Sequence, residues 1–362
     1  MIPLYKPLIS KNEIKNVNAC LKSSWISSKG IYIKKFEKKF SNFTKIKHSI
    51  SVSNGTCAIH LALVALGVKK NDEVIVPSFT YVATVNPILY TGAKPIFVDS
   101  DIKNFQLSLP EIKKNITKNT KAIICPHLYG NMPDMQELYK ITKEKKIFLI
   151  EDCAEAIGSY YKDKHAGNFG DIATFSFYGN KTISTGEGGM VCTNNKNLAR
   201  MIYKLKTQGL ASEKKPYYHD IVGFNYRMTN ICAAIGYSQM LNINKILSRK
   251  KKIFKKYESG FKNNKNILIL KNSKYVKSSY WLVVILIKKK NKRKKLVNFL
   301  NKNNIDTRTT FFQVHKMPMY SKKLKLINGE NLSANGICLP SFPQLKDTEI
   351  KYIIDKINHF LK

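Results

Sequence analysis

Acid, arginine and long apolar runs are what this 362-residue chain has least of. Only 24 residues are Asp or Glu against 62 Lys or Arg, a formal net charge of +38. Yet just five of those cations, Arg200, Arg227, Arg249, Arg293 and Arg308, are arginines. Nucleic-acid readers favour Arg for bidentate and stacked contacts, so a lysine excess accompanied by abundant Asn and Ile argues against nucleic acid as a partner. The densest basic run, KKKNKRKK at 288–295, reads as a strand end and a solvated turn. The longest uninterrupted apolar run, Trp281 to Ile287, falls far short of the roughly 20 residues a membrane helix needs, so no membrane partner is expected. The start, MIPLYKPLIS, lacks the basic, apolar, small-residue order of a signal peptide, which makes a cytoplasmic location the expectation. None of the seven cysteines forms a CxxC pair; they read as reduced structural thiols, with no metal site. No repeat recurs at a fixed period, which argues against a solenoid as well.

What is present is an alternation. Between residues 50 and 195, short runs rich in Val, Ile and Phe alternate with amphipathic stretches, the α/β pattern of a mostly parallel sheet. The strand candidates are Glu73–Pro77, Pro95–Val98, Ala122–Pro126, Ile147–Asp152, Ala173–Phe177 and Gly189–Thr193; helices are predicted at Cys57–Leu66 and Met135–Glu144. After about Leu247 the texture changes to a Lys-rich helix, a strand at Tyr280–Ile287, a helix at Arg293–Lys302 and a closing helix at Asp347–Leu361. The expected organisation is a large α/β domain with an N-terminal arm, 1–247, and a smaller α+β domain, 248–362.

In open α/β sheets ligands bind beyond the carboxyl ends of the strands, and those segments hold the unusual residues. SVSNGTCAIHLALVAL at 51–66 is a strand end, a small-residue turn and a helix start. It is either an ordinary capped helix or an anion site, with Gly55 allowing close approach and the Thr56 hydroxyl available as a donor. Tyr81 follows a strand, where its ring could cover a flat ligand or simply pack. IFLIEDCAEAIG ends an apolar strand on Glu151 and Asp152, and a carboxylate there needs a cationic partner such as a protonated heterocyclic nitrogen. Lys181, in SFYGNKTISTGEGG, stands among small and polar residues, unlike the other lysines.

Together these segments resemble the DegT/DnrJ/EryC1/StrS family, sugar-nucleotide aminotransferases of the aspartate-aminotransferase-like fold type I. The resemblance runs from Pro3, Tyr5 and Pro7 through NGT, TYVAT, EDCAEAIG, SFYGNK and GEGG into GFNYRMTNICAAIG at 223–236. It implies pyridoxal 5′-phosphate as cofactor, Lys181 as the Schiff-base lysine, Asp152 on the pyridine nitrogen and Tyr81 stacked on the ring. Gly55, Thr56 and Ser176 would hold the phosphate, and Glu155 would lie near the ring hydroxyl. Asn225 would reach the phosphate in the neighbouring subunit, so a homodimer with shared active sites is implied. The family also includes dehydratases with histidine in place of the lysine; Lys181 speaks against that activity.

YYHDIVGFNYRMTNICAAIG and NNIDTRTTFFQVHKMPMY look most like the branch that aminates C4 of GDP-4-keto-6-deoxymannose with L-glutamate as donor. Arg308 and His315 are the candidates for contact with the nucleotide-linked keto sugar. Thr309 and Thr310 stand where proline is expected, and Gln313–Val314 replaces a proline-containing approach to His315. A UDP- or dTDP-linked 4-keto-6-deoxyhexose is therefore the alternative substrate. A non-catalytic regulatory or nucleic-acid-binding protein would suit the charge but leave the cofactor residues without a purpose.

Overall fold

The computed structural model describes residues 1–212, 215–289, 291–320 and 323–362. Its main sheet has seven strands in the spatial order His48–Val52, Gly189–Thr193, Ile172–Ser176, Phe148–Asp152, Thr120–Pro126, Glu73–Pro77 and Lys94–Val98. All run in one direction except Gly189–Thr193, which pairs antiparallel with both neighbours. Helices cover both faces, which is why the central strands are apolar almost without a break. Successive side chains go to opposite cores: Ile123 and Cys125 join Phe36, Phe40 and Leu138 on one side, while Ala122 and Ile124 join Leu61 and Leu63 on the other. The fold expected from the sequence is the one observed, a large mostly parallel sheet accompanied by a smaller sheet.

The smaller sheet is antiparallel, in the order Ile267–Ile269, Val283–Ile287, Gly336–Leu339, Arg308–Thr309. The helix Ile243–Phe261 belongs to both cores, since Ile243 and Ile246 pack with the large sheet and Ile253, Phe254, Tyr257 and Phe261 with the small one. Position 247 falls inside it. The N-terminal arm, grouped with the large domain on sequence, lies against the small core: Ile2 bridges Ile305, and Ile2 and Tyr5 pack on the cluster that holds Phe254.

Two elements differ from their expected bounds for local reasons. The strand predicted from Tyr280 begins at Val283, because Tyr280 has φ 52° and turns the chain before the ladder starts. In the basic run, the strand ends at Ile287, Asn291 adopts φ 61°, and Lys292–Lys302 is helical, so the expected solvated turn is only a few residues long. Lys290 of that run lies outside the described residues. No described helix is long and apolar enough to cross a membrane.

Lys250 shows what the shared helix tolerates. Its side chain is fully buried, with Nζ donating to the Ser341 carbonyl at 2.9 Å and lying 5.2 Å from the centre of the Tyr5 ring. Among the described residues no carboxylate is within ion-pair reach of it, and burial pushes its pKa down from 10.5 to about 7. Between those values the unfolded chain binds a proton that the folded chain does not, so stability rises with pH across that window and is lowest below it. Lys250→Met should remove that dependence. Its melting temperature relative to the parent should be highest near pH 7 and fall as pH approaches 10, and parallel melting curves would show that Lys250 is not the source.

Candidate active site

The carboxyl ends of five parallel strands open into one cavity of about 750 Å³. After Val52 comes Asn54, whose side chain accepts from the Cys57 amide at 2.8 Å and caps the helix Gly55–Ala65. The amides of Gly55 and Thr56, the first two of that helix, have no carbonyl one turn back in a helix, so they remain for a ligand. A side chain at Gly55 would put its Cβ 2.9 Å from the Cβ of Ser176, at the end of the Ile172–Ser176 strand, which lies two places from His48–Val52 in the sheet. The glycine therefore lets two strand ends close into one cradle, fitting for a phosphate.

Asp152 ends the Phe148–Asp152 strand and is nearly enclosed. One oxygen accepts from the Thr84 hydroxyl at 2.8 Å and the other from the Ala154 amide at 3.1 Å, which fixes the carboxylate at the cavity wall. The adjacent Glu151 points the other way, into the fold. It accepts from the amides of Gly167, Phe169 and Gly170 and lies 2.8 Å from His127 Nε2. Burial pushes its pKa up, but the hydrogen bond and charge of His127 outweigh it together with the Gly170 and Gly167 amides, and the net shift is downward. Among the described residues, His127 thus partners Glu151, while the Asp152 carboxylate is held only by the Thr84 hydroxyl and the Ala154 amide. His127, Glu151 and Cys153 cluster closely enough to suggest a metal cage, yet the carboxylate oxygens are already committed to protein donors.

Lys181 projects from the turn after Ile172–Ser176, with only 12% of its side chain exposed. Its Nζ is 3.5 Å from Glu155 Oε1 and 4.2 Å from the centre of the Trp281 ring, while the Tyr5 hydroxyl donates to its carbonyl. Glu155 also accepts from the Tyr129 amide at 2.8 Å. Burial raises the Glu155 pKa to about 7, opposed mainly by the charge of Lys181. Tyr129, held at φ 57°, stacks between Trp281 and Phe311 with interplanar angles of 14° and 13°. Trp281 and Phe311 line the cavity, and the buried Tyr129 ring packs between them as backing.

Gly55, Thr56, Tyr81, Asp152, Glu155, Ser176, Lys181 and Arg308 all line this one cavity, so residues spread over more than 250 positions converge. Tyr81 is 57% exposed at its mouth, with its ring 5.9 Å from that of Phe311. Asn225 does not line it; it is exposed on the surface and accepts from Arg227 Nε at 3.0 Å. His315 differs from its sequence-based placement beside the sugar nucleotide. It is fully buried behind the wall, its Nδ1 2.6 Å from Ser78 Oγ and its amide donating to the same oxygen. There it fastens the loop after Phe311 to the strand end that leads to Tyr81. Sequence reasoning gave no role to Thr84, Tyr129 or Trp281: Trp281 sat within an apolar run read as strand, Thr84 closed the TYVAT segment beside the more conspicuous Tyr81, and Tyr129 had no local signal.

Comparison with known proteins agrees along the whole chain. A family model described as the DegT/DnrJ/EryC1/StrS aminotransferase family matches residues 7–358. The chain is 51% identical to a GDP-perosamine synthase of Escherichia coli O157:H7, over 99% of this chain and 98% of that one. It is 44% identical to a GDP-perosamine synthase of Vibrio cholerae, over 99% of each. Among solved structures it superposes on a putative sugar aminotransferase of Streptococcus pneumoniae in its PMP form with TM-score 0.94, at 27% identity and 99% coverage of both chains. DesV of S. venezuelae, in complex with a ketimine intermediate, superposes with TM-score 0.92 at 27% identity, covering 97% of this chain and 94% of that one.

Proposed function

The chain belongs to the DegT/DnrJ/EryC1/StrS aminotransferase family, and from that premise we propose that it moves an amino group from L-glutamate to C4 of GDP-4-keto-6-deoxymannose, yielding GDP-perosamine. The observation that carries the choice of substrate is the 51% identity, along 99% of the chain, to a protein named for that product. A strongly positive molecule also draws an anionic sugar nucleotide toward its site.

Pyridoxal 5′-phosphate fits the cavity by its donor set. Gly55, Thr56 and Ser176 would hold the phosphate, Tyr81 would cover the ring, Asp152 would keep the pyridine nitrogen protonated, and Glu155 would face the ring hydroxyl. The cofactor supplies an electron sink for the pair left when a proton leaves the substrate carbon. Lys181 would hold the cofactor through its Nζ, and the same amine would move that proton, as base and then as acid. The enclosed position of this amine keeps the transfer away from bulk water.

The active form is proposed to be a homodimer in which Asn225 serves the partner's site. Its exposure outside its own cavity fits that role, as do Trp25 and Val222, 56% and 89% exposed.

Substrate choice is tested by presenting the enzyme and glutamate with GDP-, UDP- and dTDP-linked 4-keto-6-deoxy sugars. The GDP sugar should have the highest kcat/KM. Arg308→Lys should raise KM for it while leaving the glutamate half-reaction nearly untouched, because a guanidinium clamps a diphosphate or stacks on a base where an ammonium cannot. Higher efficiency with the UDP sugar would overturn the substrate assignment and leave the aminotransferase standing.

A further inference from the structure

Trp281 reaches the site from the chain leading into the small sheet, and it touches the Lys181 segment twice. Its Nε1 donates to the Asn180 carbonyl at 2.7 Å, and its ring face lies 4.2 Å from Lys181 Nζ. The contacts then close into a ring. Trp281 stacks on Tyr129 at 6.0 Å, the Tyr129 amide donates to Glu155, and Glu155 Oε1 is 3.5 Å from the same Nζ. Trp281 is 3% exposed, so this seat is shielded from solvent competition, and the aromatic face attracts the ammonium more strongly than it would at an open surface.

We propose that Trp281 is a positioning residue that, with Glu155, forms the parking seat of Lys181 whenever its amine is free of the cofactor. This rests on the reading of Lys181 as the residue that carries the cofactor. An aminotransferase spends half of each cycle with its amino group stored on the cofactor and its lysine released. A seat that binds only the released lysine stabilises that half alone. The residue therefore sets the balance between the two halves of the cycle, and not simply the shape of the cavity.

The balance can be read without turnover. The wild type is equilibrated with mixtures of glutamate and 2-oxoglutarate, and the visible absorption gives the ratio at which half of the cofactor is aminated. In Trp281→Leu that ratio should rise roughly 5- to 30-fold. In Trp281→Phe, which keeps an aromatic face but lacks the indole N–H, the rise should be smaller. An unchanged midpoint in Trp281→Leu, or an equal shift in both variants, overturns the proposal.

A second measurement needs no cofactor. Trp25 and Trp281 are the only tryptophans, so Trp25→Phe leaves Trp281 as the sole indole emitter. In the full cofactor-free chain with that change, Lys181→Met should alter the intensity or wavelength of emission by removing the cation from the ring face. Emission unmoved by Lys181→Met overturns the seat even should Trp281→Leu fail to fold. A wild type that never acquires a visible band would instead count against the cofactor reading, and the emission test would still report on the seat.

Discussion

Lys181→Ala is expected to be colourless and inactive. The parent protein should absorb in the visible when loaded with pyridoxal phosphate, and borohydride should fix the cofactor on the peptide containing Lys181. Loss of proton transfer alone costs about 10²- to 10⁴-fold, and here attachment is lost as well, so turnover should fall below detection. The enclosed position of Nζ between Glu155 and Trp281 makes replacement by a neighbouring lysine sterically remote. The same variant tests the shared site. Mixed with an inactive Asn225→Asp chain, it should regain activity in hybrid dimers, in which one of the two sites inherits neither defect. Label recovered on a different lysine, with activity intact in Lys181→Ala, would refute the assignment; exchange of subunits without recovery would count against Asn225.

Asp152→Ala should bind the cofactor and turn over slowly. The carboxylate is held by Thr84 and Ala154 and is 7% exposed, so it acts in a medium where a charge opposite a protonated ring is felt strongly. On the proposed reading, its removal would leave the ring nitrogen without the group that keeps it protonated and would weaken the electron sink, while the Gly55, Thr56 and Ser176 cradle would be untouched. Turnover should drop by roughly 10³-fold or more, the scale of a removed electrostatic anchor combined with poorer proton transfer. The visible band should persist with an altered maximum. A variant within tenfold of wild-type kcat would remove Asp152 from the chemistry.

Most of the fold was legible because its signals are local. Glu73–Pro77, Gly189–Thr193 and Met135–Glu144 have the bounds read from the sequence, each being an apolar or amphipathic run with polar or turn-forming flanks. The cavity floor was legible for a related reason. Asp152 and Ser176 end strands and Gly55 opens a helix, so sheet topology alone takes them to one edge. The side wall was not legible. Trp281, Tyr129 and Phe311 meet through tertiary packing between two sheets, and nothing in a run such as WLVVILI distinguishes a ring that turns into a cavity from one that fills a core. His315 differs in the opposite direction: a histidine in a polar loop suggested ligand contact, but it lies buried outside the cavity lining, with Nδ1 fastening that loop to Ser78. Glu151 was read together with Asp152 as needing a cation, and the alternation of side chains along a strand sends it to His127 instead.

The origins of the supports around Lys181 also bear on the order in which the molecule is made. Tyr5, on the arm, leaves the ribosome well before Trp281 and before the Ser341 whose amide donates to the Leu4 carbonyl. A nascent chain that has just passed Lys181 has most strands of the large sheet but neither clasp. The arm gains its small-sheet contacts only when that sheet is made, and the lysine meets the Trp281 ring only after the chain has passed that residue. Contacts spanning such sequence distances close late, after the loop entropy between them has been overcome. Competence to hold the Lys181 amine in place is thus acquired only when the arm and the segment leading into the small sheet have been brought together.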